Sequence, residues 1–95
     1  MKTAEVTILD PVGLHARPAA LFVNLANKFR ADISICNLSS GGPWVNAKSI
    51  LSLLTCGVQQ GHRIGIQAEG MDEFAAVEAL EKLARSNFAE DKDNS

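Results

Sequence analysis

A chain of 95 residues with 46% hydrophobic and 21% charged side chains has the balance of one globular domain and too little length for a second core. Its formal net charge of −2 excludes the broad basic face that a polyanion requires, so no nucleic-acid role is expected. No stretch nears the roughly 20 apolar residues of a membrane span, and MKTAEVTILDP holds no apolar run of leader length, so a soluble, cytoplasmic protein is expected. Cys36 and Cys56 belong to no CxxC pair and have only two histidines to recruit, which indicates neither a metal site nor a disulfide framework. Both are expected as small core residues.

Residues 3–9 alternate, with Val6 and Ile8 on one face, as a half-buried strand does. Asp10, Pro11 and Gly13 break it. Across residues 16–28, Ala20, Leu21, Val23 and Leu25, with Phe29 beyond, approach a 3.6-residue period, predicting an amphipathic helix. Residues 31–37 alternate again through Ile33 and Ile35; LSSGGP is a dense turn signal, and residues 44–46 suffice for a short returning strand. Ser49 opens SILSLLTCG, a short apolar helix with Gly57 as its left-handed cap. Residues 62–68 alternate through Ile64 and Ile66 as a fourth strand. Asp72 is the expected N-cap of a helix over residues 73–86, whose buried stripe takes Phe74, Val77, Leu80 and Leu83 or Ala84. The domain is expected to span residues 1–87, with 88–95 (FAEDKDNS) as a fraying polar tail. This order of elements predicts an α+β fold, three helices on one face of an antiparallel or mixed four-stranded sheet.

The stretch GLHARPAA, residues 13–20, concentrates the chemistry. A helix beginning near Ala16 puts His15 at its N-cap, where the first backbone N–H groups lack intrahelical partners and the dipole favours an anion. Pro18 falls in the first turn, where its missing N–H costs nothing. Arg17 adds a charged planar fork suited to phosphate oxygens. The ring of His15 is then expected to meet phosphorus as a free base, with the product held by Arg17 and by the backbone N–H groups of Ala16 and Arg17. The plainer reading is a capping or surface histidine. No GxSxG-type signature marks another nucleophile, and the loop offers too few neighbours for a metal.

GLHARPAA, together with NAKSI and GVQQG, resembles the HPr family, the histidine-containing phosphocarriers of the bacterial sugar phosphotransferase system, over about residues 3 to 87. The resemblance implies an open-faced β-sandwich with strand order 1-4-2-3 and three helices on one face. It implies that His15 accepts phosphoryl on Nδ1 from Enzyme I and passes it to EIIA domains, with Arg17 binding phosphate and no cofactor. The chain would then be a stoichiometric intermediate without substrate turnover of its own, and a monomer. Ser49 of AKSI falls on the serine phosphorylated by HPr kinase/phosphorylase in Gram-positive relatives, where a transcriptional regulator follows; as an N-cap it needs no such role. Phe22, Ile50, Leu51 and Leu54 are candidates for an apolar docking patch near His15, against plain core packing, which is expected of Leu53 and competes for Leu54. The turn NLSSGGPW is about three residues longer than the common family pattern, Trp44 is unusual there, and Cys56 replaces a common leucine.

Two other readings stand beside the phosphocarrier. A regulator acting mainly through Ser49 leaves His15 unexplained. An RNA-binding sheet wants aromatic residues on its strands and a basic surface, and these strands offer only Trp44.

Overall fold

The computed structural model describes residues 1–88. Its elements run β1 (Lys2–Thr7), α1 (Ala16–Ala26), β2 (Asp32–Asn37), β3 (Val45–Asn46), α2 (Ile50–Thr55), β4 (Arg63–Glu69) and α3 (Glu73–Arg85). The sheet has the order β1-β4-β2-β3, and every neighbouring pair is antiparallel. Val6 faces Ile64, and Ile35 faces Ile66, so the alternating apolar residues of three strands share one face. On that face Val6, Ile8, Ile33, Ile35, Ile64 and Ile66 pack with Phe22, Leu53, Val77, Leu80 and Leu83 of the helices. The expected fold class is the observed one.

The opposite face is partly covered. Gly65 alternates with Ile64 and Ile66 and therefore points away from the helices, where a Cβ would stand 2.7 Å from Cη2 of Trp44. The long 38–44 turn thus folds back over the sheet, and Trp44 lies just outside the short β3. Cys36, opposite Gly65 in the register, is buried beneath this turn and directs its thiol at the Gly42 carbonyl, 3.0 Å away. Cys56 is only half-buried, short of the core position expected; burial, and secondarily the Cys36 thiol, pushes its own thiol pKa up and makes it a poor nucleophile.

Several residues lie elsewhere than their spacing suggested. Phe22 is 0% exposed, so this docking candidate is a core residue: α1 turns Pro18, Ala19, Phe22, Val23 and Ala26 inward and leaves Leu21 and Leu25 half-buried. The helix ends at Ala26 rather than residue 28: the Asn27 N–H still donates to the Val23 carbonyl, but those of Lys28 and Phe29 donate to the carbonyls of Leu25 and Ala26, three residues back, in a tightened last turn. Phe74, expected on the buried stripe of α3, is 67% exposed, its ring 5.8 Å from Nζ of Lys2, and Ala76 takes a core place instead.

Phe88, assigned to the tail, is buried in the core. Asn87 has φ +58°, and the N–H groups of Asn87 and Phe88 donate to the carbonyls of Ala84 and Leu83, the pattern that closes a helix and drops the following apolar residue onto it. The domain therefore includes residue 88; the rest of the expected tail, 89–95, lies outside the described residues.

Asp72 holds the N-cap position of α3, yet its carboxylate does not cap that helix. It accepts from the N–H groups of Arg30 and Ala31, both at 2.8 Å, and so ties the loop after α1 to the start of α3. The Arg30 N–H bond is the chief reason its pKa lies below the usual value. A lowered folded pKa means stability that is present above the unfolded value of about 3.9 and lost as pH falls through the folded one. Asp72→Asn should therefore lower stability at pH 7 and weaken the dependence of stability on pH below about 4, as urea titrations at stepped pH would show.

Candidate functional site

The loop between β1 and α1 is built by Asp10 and Gly13. Asp10 Oδ1 accepts the Val12 N–H at 2.9 Å and its carbonyl accepts the Gly13 N–H at 2.9 Å, so one residue folds the turn with both its side chain and its backbone. Gly13 has φ +80°, and a Cβ there would stand 2.2 Å from the Val58 carbonyl oxygen. No other residue type fits that place without moving backbone. The same carbonyl accepts the Leu14 N–H at 3.0 Å and seats the buried Leu14 against the segment after α2.

His15 follows as the N-cap of α1, in extended backbone at φ −95° and ψ −170°, and its side chain makes no capping bond. Its carbonyl accepts the Ala19 N–H at 2.9 Å, the first bond of the helix. Pro18, buried in the first turn, has no N–H to offer, so the first-turn donors outside the helix ladder are those of Ala16 and Arg17. Both are exposed. The positive end of the helix thus lies beside a half-exposed imidazole, and a negative charge is favoured there.

Asp10 was legible in the sequence only as a strand breaker. Its side chain is 11% exposed, and Oδ1 stands 3.6 Å from Nε2 of His15, so one ring nitrogen already faces a carboxylate.

The second histidine belongs to the support of this loop. His62 Nδ1 accepts the Gln59 N–H at 3.1 Å and lies 3.2 Å from Nδ2 of Asn37, which also donates to the Cys56 carbonyl at 3.1 Å. Asn37 is buried at the end of β2, so it fixes the residues after α2 from the sheet side. That segment in turn holds the site loop: Ile8 N–H donates to the His62 carbonyl at 2.9 Å, Gly61 N–H to Ile8 at 2.8 Å, and Gln60 to Leu9 at 3.3 Å.

On α2, Ile50, Leu51 and Leu54 are exposed, Leu51 at 77%, while Leu53 is fully buried as expected. Leu9 and Val12, which carry no motif that sets them apart from core residues, are exposed on the loop itself. Ser49 is the N-cap of α2, its Oγ accepting the Ser52 N–H at 3.3 Å. Among the described residues no group of His, Cys, Asp and Glu could hold a metal, and no helix is long and apolar enough to cross a membrane.

The family described as PTS HPr component phosphorylation site matches residues 2–86. This chain belongs to the HPr family. It is 42% identical over 83 residues to the phosphocarrier protein HPr of Mycoplasma pneumoniae, covering 87% of this chain and 92% of that one. It is 44% identical over 78 residues to the multiphosphoryl transfer protein of Vibrio cholerae, covering 82% of this chain but only 20% of that much longer one. The crystal structure of HPr-C-His from Thermoanaerobacter tengcongensis superposes with a TM-score of 0.87 at 44% identity, over 94% of this chain and 97% of that one. HPr proteins are phosphocarriers, loaded and unloaded on a histidine without turning over a substrate of their own.

Because the loop is seated on Val58, Gly13→Ala adds a backbone clash to the conformational cost and should destabilise the protein by roughly 3–4 kcal/mol in urea unfolding. Gly57→Ala offers the control: Gly57 has φ +62° but no atom within 4 Å of an added Cβ, so only the conformational cost of about 1–2 kcal/mol remains.

Proposed function

We propose that His15 is the phosphoryl acceptor of this phosphocarrier, receiving the group on Nδ1 from Enzyme I and handing it to EIIA domains. The observation that carries this reading is that His15 occupies the N-cap of α1 without engaging its ring in the cap. On this reading the start of α1, with the N–H groups of Ala16 and Arg17, binds the phosphoryl oxygens. The Arg17 guanidinium, in the exposed first turn, adds a charge that lysine would supply without the bidentate fork.

The exposed Ile50, Leu51 and Leu54 form the docking patch on this reading, with Leu9 and Val12 continuing it on the site loop. A patch of this kind suits partners that must bind, react and leave, for which a modest interface with a few apolar anchors is sufficient.

Ser49 is proposed as a second, regulatory phosphorylation site, addressed by HPr kinase/phosphorylase and read by a transcriptional regulator. Its support is the N-cap geometry, since a phosphate on Oγ there meets the positive end of α2 and leaves the helix standing. The added charge would lie next to Ile50 and Leu51 and would change which partner the patch accepts.

Incubation with phosphoenolpyruvate and Enzyme I should give the wild-type chain an acid-labile, base-stable phosphate. His15→Ala should take up none while unfolding within a few degrees of wild type. A variant that is still labelled places the acceptor elsewhere.

A further inference from the structure

We propose that Asp10 is a positioning residue for phosphoryl transfer: its carboxylate faces Nε2 of His15, holds the ring proton on that nitrogen, and leaves the Nδ1 lone pair for phosphorus. The inference rests on His15 being the acceptor, and it assigns a role to the neighbour that selects between the two ring nitrogens.

The geometry begins with the carboxylate. Asp10 is buried, and its Oδ1 is fixed by the Val12 N–H at 2.9 Å, so it cannot swing toward solvent without opening the turn. The same oxygen stands 3.6 Å from Nε2, longer than a hydrogen bond and within the range of a charge contact. Contacts of this kind often tighten only when the reacting partner arrives. A carboxylate oxygen can only accept, so the ring nitrogen facing it is the one that carries the proton. The neutral tautomer thereby fixed presents Nδ1 as the base.

The transfer balances without a proton changing place. The Nδ1 lone pair forms the bond to phosphorus while the bond from phosphorus to the donor breaks, its electron pair staying with the donor. The ring, still protonated on Nε2, then carries positive charge, and this charge develops against Asp10. In the return direction the bond between Nδ1 and phosphorus breaks and its pair returns to the ring, which leaves as neutral imidazole. Asp10 therefore serves both directions, as a carrier requires. Its repulsion of the incoming phosphoryl is limited because the ring stands between them and the helix N–H groups act on the phosphoryl side.

Asp10→Asn isolates the charge, because the amide oxygen can still accept the Val12 N–H and keep the turn. The first measurement is the long-range ¹⁵N–¹H correlation spectrum of the unphosphorylated protein at pH 8, which reads the His15 tautomer without any partner. Wild type is expected to show the Nε2–H form alone, and the Nδ1–H form should emerge in Asp10→Asn and grow in Asp10→Ala. The second is the phosphorylation rate with Enzyme I, expected to fall about three- to tenfold in Asp10→Asn. A Leu14 amide shift unchanged from wild type would confirm an intact loop in that variant, since that N–H is bonded to the Val58 carbonyl. A wild-type ring protonated mainly on Nδ1, or an Asp10→Asn with unchanged tautomer and rate, overturns the proposal. Were another residue the phosphoryl acceptor, the label would be absent from His15 while the tautomer result stood, so the two failures are separable.

Discussion

The contact on which the site depends is that of Gly13 with the Val58 carbonyl. It requires a residue without a side chain, a backbone in the left-handed region, and a carbonyl held still at the end of the segment after α2. Given these, Leu14 is drawn into the core and His15 is left at the mouth of α1 with its ring outside. The proposed phosphoryl acceptor owes its position to a neighbour that carries no functional group.

That dependence extends through the fold in short steps. Val58 is held because Asn37, buried at the end of a central strand, ties down the Cys56 carbonyl and the His62 ring on either side of it. The sheet thus supports the loop through one amide side chain rather than through burial of the loop itself. This solution suits a site that has to be open to two successive partners. A deep pocket would exclude water better, but it would also exclude a protein-borne phosphoryl group. On the proposed function, donors at a helix start would bind the group while leaving it reachable.

The parts legible in the sequence are those decided by a few adjacent residues. Ser49 as N-cap, Gly57 as left-handed cap and His15 ahead of Pro18 are all local statements, and so are the alternating strands whose register buries Ile35 and Ile66 together. Strand order came with the family resemblance, because periodicity says which face is apolar and nothing about which strand lies beside which. What escaped was decided at a distance. Asp72 looked like a cap for its own helix, yet the loop at Arg30 and Ala31 comes within reach and takes its carboxylate. Phe22 and Phe74 exchange their expected places: α1 turns Phe22 inward with Pro18, Ala19, Val23 and Ala26, and in α3 the core place goes to Ala76 while Phe74 stays exposed. The inward return of Phe88 rests on Asn87 adopting a conformation that glycine more often supplies. Asp10 carries no motif, and its relation to His15 exists only once the turn has closed.

If the proposed function holds, phosphoryl on the His15 ring is received by the start of α1. The most direct measurement is the backbone amide ¹H–¹⁵N spectrum of the chain before and after phosphorylation. The largest downfield proton shifts are expected at Ala16 and Arg17, with the strands and the body of α3 unmoved. Largest shifts around His62 or along α2, with Ala16 and Arg17 unchanged, would contradict it.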